Sequence, residues 1–182
     1  MIVSDSDATS HLLMSPARIE RTIARIACQI FEDTRGSNQL LILGIHQRGY
    51  LLACILAEKL SKIYQSSIRA RPLKIKEFID ADHHADPDLS SAVRGKKVII
   101  FDDVMYSGRT MFDALRFITM DDRPEEIRLA ALIDRGHRRY PVDIQYLGLY
   151  CPTKLQEHVQ CRFAKDGTPD GVWLISSPAD IS

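Results

Sequence analysis

"VIIFDDVMYSGRT", Val98 to Thr110, sets four apolar residues against two adjacent carboxylates, then a small-residue turn holding a glycine, a cation and a hydroxyl. A short apolar run of this kind predicts a strand buried on both faces, over Lys97 to Phe101. Met111, Leu115 and Ile118 follow at helical spacing and predict a core-facing helix from Met111 to about Met120, so the turn joins a strand to a helix. Two similar runs flank this unit, "QLLILGI" at Gln39 to Ile45 and "IRLAALI" at Ile127 to Ile133. The first leads through "HQRG" into a helical pattern from Tyr50 to about Lys62, and the second into "DRGHRRYP". Buried strands alternating with helices predict an α/β fold with a parallel sheet and right-handed crossovers.

The totals agree with one domain of this kind. At 182 residues, 45% hydrophobic and 26% charged, the chain can bury a single core. No apolar stretch approaches the ~18 residues of a spanning helix, and no membrane role is expected. Met1 to Ser10 carries two aspartates and no basic residue, the wrong chemistry for a targeting signal, so a cytoplasmic protein is expected. The four cysteines form no C-x-x-C pair and signal neither zinc nor a disulfide framework. Cys28 and Cys54 fall in helical apolar patterns and are expected to be small buried hydrophobes. Twenty-four basic against twenty-four acidic side chains weigh against indiscriminate nucleic-acid binding, leaving room only for a local basic patch.

The remaining segments read as follows. After a polar leader, Ser15-Pro16 predicts a helix start, and Ile19, Ile23, Ile26, Ala27 and Ile30 carry that helix to a stop before Gly36. "SIRARPLKIKEFI", residues 67 to 79, contains Pro72 and predicts an edge strand or hairpin. "DADHHADPDLSS", Asp80 to Ser91, is acidic and lacks a period, which predicts a long loop of the kind often used as a lid. His83 and His84 within it read as solvated, since no third ligand stands nearby. Short strand-like runs come at Asp143 to Leu149, Glu157 to Phe163 and Val172 to Ile175.

In a parallel sheet, ligands bind beyond the carboxyl ends of the strands. The three polar turns, His46 to Gly49, Asp102 to Thr110 and Asp134 to His137, all fall at such ends and are expected to share one site. "VMYSGRT" precedes a helix, so backbone N–H groups, the Ser107 and Thr110 hydroxyls and the freedom of Gly108 can surround a phosphate. The spacing of a Walker A loop and that of a G-x-G-x-x-G fingerprint are both absent. Asp102 and Asp103 are placed to accept bonds from sugar hydroxyls, to stabilise positive charge on a sugar ring, or to assist a divalent cation. Taken alone, the acids read more readily as one helix cap and one solvated side chain, and it is the contiguous strand, acid pair, Ser-Gly-x-Thr turn and helix that favour the site. Arg48-Gly49 offers donors to a second phosphate-rich group.

These residues resemble a known family. "VIIFDDVMYSGRT" is similar to the phosphoribosyl pyrophosphate (PRPP) binding motif of type I phosphoribosyltransferases, a hydrophobic strand, an acidic pair and a Thr/Ser-Gly-x-Thr loop. With "ILGIHQRGYLLACILAEKL" and "IRLAALIDRGHRRYPVDIQYLGLYCPT" it resembles the PyrR group, bifunctional pyrimidine operon attenuators and uracil phosphoribosyltransferases, over about residues 15–163. The resemblance implies a twisted, mainly parallel sheet flanked by helices, with a flexible loop and a small hood. It implies one domain, with a core of about 15–163 and a C-terminal extension, 164–182, that resembles nothing further. It implies conversion of uracil and PRPP to UMP and pyrophosphate, with Mg²⁺ bound mainly through PRPP, and a homodimer or higher oligomer. By position, Asp102 and Asp103 bind the ribose hydroxyls, and Val104, Met105, Tyr106, Ser107, Gly108, Arg109 and Thr110 wrap the 5′-phosphate. Gln47, Arg48 and Gly49 hold the pyrophosphate, and Arg135 and Val159 belong to the base pocket or hood.

Three departures from the group stand out. The place of its flexible loop reads "KEFIDADHHADPDL", without the loop's arginine, and Lys74 or Lys76 is the candidate substitute. On the first helix, Ala24 and Cys28 replace polar or basic groups of its RNA-binding face, with Arg25 kept. The extension is the third. Two alternatives stay open: a nucleotide-sensing RNA-binding regulator using Arg25 and Arg135 to Arg139, and a transferase for another nucleobase such as hypoxanthine.

Overall fold

The three apolar runs become the middle of a five-stranded sheet because each alternates its side chains between two buried faces. The computed structural model describes residues 9–34, 39–75, 87–121 and 124–176. In it β2 (Leu40–Ile45) is buried throughout, and its parallel neighbours are β3 (Ala70–Leu73) and β4 (Lys97–Met105). β4 pairs in turn with β5 (Glu126–Asp134), and β5 with β6 (Tyr146–Tyr150), giving the order β3-β2-β4-β5-β6. Ile42, Ile99, Phe101, Ala130 and Leu132 point to one face, where α1 (Pro16–Thr34) and α2 (His46–Tyr64) bring Ile19, Ile23, Ile26, Leu52 and Leu56. Leu43, Val98, Ile100, Leu129 and Ala131 point to the other, against α3 (Pro87–Val93) and α4 (Arg109–Asp121). The alternation places a helical layer on each side of the sheet, the type I phosphoribosyltransferase architecture.

A second, antiparallel sheet has β8 (Pro169–Ser176) between β1 (Thr9–Met14) and β7 (His158–Phe163). Met14, Cys161 and Val172 of this small hood join the cluster formed by α1, α2 and the large sheet.

Several local expectations hold. Ser15 caps α1, with its Oγ accepting from the Arg18 N–H at 3.3 Å. Pro72 lies in β3, an edge strand, where its missing N–H costs no ladder bond. Met111 and Ile118 are buried, and Leu115 packs against them.

Others are corrected. The polar leader contains β1, whose first four residues are exposed, so its pairing with β8 is carried by backbone bonds and leaves no apolar signal. α2 begins at His46, not Tyr50: His46 takes a left-handed φ of 51° that turns the chain at once, and the polar first turn has no apolar stripe. β4 runs on through the acid pair to Met105 because β5 keeps pairing with it, Asp102 opposite Ala131 and Met105 opposite Asp134. The end of the expected loop, from residue 87 to Ser91, belongs to a helix that runs on to Val93, with Leu89 and Val93 buried against the second cluster. The loop's remaining residues, including His83 and His84, lie outside those described, as does Lys76. Cys28 is exposed, not buried, because it sits one residue beyond the core-facing Ala27 on the curve of α1; Cys54 is half-buried.

Candidate active site

The carboxyl ends of β2, β4 and β5 bring the three polar turns into contact. Gly49, in the first turn of α2, lies so close to β4 that an added Cβ would stand 2.7 Å from the Phe101 carbonyl and 3.4 Å from the Asp102 Cα. Only glycine lets this turn approach the acid pair. Ile45 supplies no side-chain cap to α2, so Gln47, Arg48 and Gly49 present the positive end of the helix dipole beside Asp102.

After Met105 the chain turns through Tyr106, Ser107 and Gly108 into α4. Gly108 adopts φ 81°, and its missing side chain makes room for Val142 Cγ2, which would stand 2.6 Å from a Cβ. Ser107 Oγ accepts weakly from the Arg109 N–H at 3.4 Å. Val104 packs on the first core cluster and Met105 is buried in the second, so their side chains brace the strand while Tyr106 to Thr110 form the turn itself. Arg109 is exposed and 3.8 Å from Asp113.

The third turn supports the second. The Arg135 N–H donates to the Met105 carbonyl at 3.0 Å, and the Arg139 and Tyr140 N–H groups donate to the Ser107 carbonyl at 2.9 and 3.2 Å. Tyr106 lies between the His137 ring, 5.1 Å between centroids, and the Arg135 guanidinium, 4.4 Å from its centroid.

The electrostatics single out Asp102. Desolvation by burial, and then the neighbouring Asp103 charge, hold its carboxyl well above the usual carboxylate range. Its Oδ1 accepts the Asp103 N–H at 2.9 Å. A carboxyl held toward its neutral form can both donate to and accept from a sugar hydroxyl. The Cys161 thiol on β7 is pushed up to about 12 by burial, with Asp103 raising it further and Arg48 opposing. Cys161 lines one cleft with Gln47 and Arg48 of the α2 turn, and the half-buried Val159 lies two residues before it on the same face of β7.

Between α2 and the hood lies a cleft of about 680 Å³, lined by Gln47, Arg48, Leu51, Cys161, Phe163 and the β7–β8 turn from Ala164 to Gly167. The supposed C-terminal extension thus supplies one wall. Sequence reasoning missed this turn, although "DG" at Asp166-Gly167 between two strand-like runs is a strong hairpin signal. Asp166 Oδ1 accepts from both the N–H and the hydroxyl of Thr168, at 3.0 and 2.7 Å, which fixes the turn.

Of the basic residues proposed for RNA contact, Arg139 is exposed, while Arg25, Arg135 and Arg138 are engaged within the chain. Arg25 donates to the Leu147 and Gly148 carbonyls, Arg135 is buried, and Arg138 pairs with Asp134 at 2.7 Å.

Residues 12–161 match the phosphoribosyl transferase domain. The chain belongs to this family. The Bifunctional protein PyrR of Staphylococcus aureus (strain JH9) is 37% identical over 158 residues, covering 83% of this chain and 90% of that protein, and the chain is a PyrR-type phosphoribosyltransferase. Among solved structures, HGPRT-ase from Leishmania tarentolae in complex with GMP has a TM-score of 0.73 at 16% identity, over 92% of this chain and 98% of that one. The hypoxanthine phosphoribosyltransferase of Trypanosoma cruzi has a TM-score of 0.62 at 18% identity, over 78% and 81%. At such identities these two share the fold.

Proposed function

We propose that this chain transfers the phosphoribosyl group of PRPP to uracil, forming UMP and releasing pyrophosphate, as a cytoplasmic nucleotide-salvage enzyme in which core and hood act as one domain. The observation that carries the reading is the close approach of Gly49 to Asp102, which sets two phosphate-accepting turns on either side of one acid pair. PRPP has this layout: a ribose with a 5′-phosphate at one end and a pyrophosphate at the other. Tyr106 to Thr110 take the 5′-phosphate, Asp102 and Asp103 the ribose hydroxyls, and Gln47, Arg48 and Gly49 the pyrophosphate.

The bond from C1′ to the pyrophosphate oxygen breaks, the bond from C1′ to the base nitrogen forms, and the base loses its proton. Positive charge that grows on the ring meets the negative charge of the acid pair, centred on Asp103, so positioning and electrostatics carry the reaction without a protein nucleophile. Phosphoribosyltransferases generally use Mg²⁺ with PRPP. Asp102 and Asp103 are hard oxygen donors at this site and would assist an ion held mainly by the oxygens of PRPP itself. When bound, such an ion would supply charge neutralisation for the pyrophosphate.

The regulator reading is less well supported, because Arg25, Arg135 and Arg138 have internal partners. A thermal-shift panel with Mg²⁺ tests ligand class. PRPP and UMP each raise Tm, and UMP outperforms GMP, because a ligand bound only by the folded state stabilises it. A larger shift with GMP would move the assignment to a purine base, and no shift with PRPP would remove it.

A further inference from the structure

We propose that Arg135 is a positioning residue that clamps the loop between β6 and β7 onto the phosphate cradle, and so sets the affinity for the base without touching it. The inference rests on the phosphoribosyltransferase reading of the site. Arg135 is only 7% exposed, and its guanidinium is already occupied on three sides. Its Cζ lies over the Tyr106 ring, 4.4 Å from the ring centroid, within the cradle. Its Nε donates to Thr153 Oγ1 at 2.9 Å, and one terminal nitrogen donates to the carbonyls of Lys154 and Glu157.

These contacts reach across two separate pieces of the site. Tyr106 belongs to the turn that would hold the 5′-phosphate, while Thr153, Lys154 and Glu157 belong to the segment leading into β7. One residue past Glu157 the chain enters the strand whose Cys161 lines the cleft together with Gln47 and Arg48. Neighbouring bonds hold the same seam: His137 Nε2 lies 2.6 Å from the Thr153 carbonyl, and the Cys151 N–H donates to the Asp134 carbonyl at 2.8 Å. Arg135 is therefore a strut between cradle and hood.

A planar fork is needed for this work. Lying over the Tyr106 ring while donating to three acceptors uses the rigid fork of guanidinium, which an ammonium group lacks. Arg135→Lys keeps the charge and removes the fork, so it separates a strut from a simple cation.

The test compares binding of UMP with that of ribose 5-phosphate, by titration calorimetry on the full chain. Ribose 5-phosphate needs only the cradle and the acid pair, so the ratio of the two affinities reports the base pocket. In Arg135→Lys, UMP affinity falls about tenfold while ribose 5-phosphate affinity stays within about twofold. Thr153→Val, which removes the Nε acceptor, lowers the ratio in the same direction by about threefold. In the double variant the two effects fail to add, since both remove one contact. An unchanged ratio in Arg135→Lys, or an equal loss for both ligands, overturns the strut. A wild-type chain that binds neither ligand overturns the proposed function first, and the two failures are thereby distinguished.

Discussion

Asp102 sits in a β-strand with a backbone partner on β5, and its carboxyl is held where ionisation is disfavoured. This has a consequence for stability. An acid whose folded pKa lies above its unfolded value stabilises the fold below about pH 3.9, and that contribution is lost as pH rises through the folded pKa. Asp102→Asn, which keeps an oxygen acceptor for the Asp103 N–H, removes the penalty. The variant is expected to match wild type near pH 3.5 and to melt higher at pH 8 in the absence of ligand. Each 1 kcal/mol relieved appears as about 2–4 °C in Tm for a chain of this size. Melting curves across that pH range check it, and a variant that melts lower at pH 8 contradicts it. In the proposed function the same residue holds the ribose, so the stabilised variant is expected to lose affinity for PRPP.

At the scale of elements, what was legible depended on where apolar residues fell. β2, β4 and β5 alternate between two buried faces, and their runs announced them. The first turn of α2 is polar because it faces the site, so the apolar pattern started four residues late. The acid pair likewise read as the end of a strand that continues to Met105, since carboxylates at a ligand site interrupt the apolar signal without interrupting the ladder. β1 was missed for a related reason, since its first four residues are exposed and it is held by pairing more than by burial, whereas the β7–β8 turn did carry its own signal in Asp166-Gly167. Arg25 illustrates a residue whose role only the structure gives. It donates at 2.8 and 3.0 Å to the carbonyls of Leu147 and Gly148 on β6, the open edge of the large sheet. An edge so covered resists pairing with another chain. Arg25→Ala is expected to lower Tm by about 2–4 °C, as two charge-assisted bonds at an exposed position are worth about 1 kcal/mol. Light scattering after mild heating should rise in the variant, and unchanged melting and scattering would assign Arg25 elsewhere.

For the whole molecule, the two sheets have one purpose between them. The large parallel sheet delivers three turns to its carboxyl edge, and the small hood sets β7 against them, enclosing a cleft beside Arg48. The resemblance of "VIIFDDVMYSGRT" to a PRPP motif pointed to the family from thirteen residues, and the match over 12–161 places the chain in it. Geometry adds what the motif could not: the third turn, around Arg135, joins the cradle to the segment that precedes β7. The most direct measurement of the central claim is formation of UMP and pyrophosphate from uracil and PRPP with Mg²⁺, by the wild-type chain and by Asp103→Asn. The account predicts turnover that depends on uracil and a loss of at least about 100-fold in the variant, the scale of removing a charge aimed at the transition state. A wild-type chain that makes no nucleotide from uracil, hypoxanthine or guanine, or an Asp103→Asn variant as active as wild type, would contradict it.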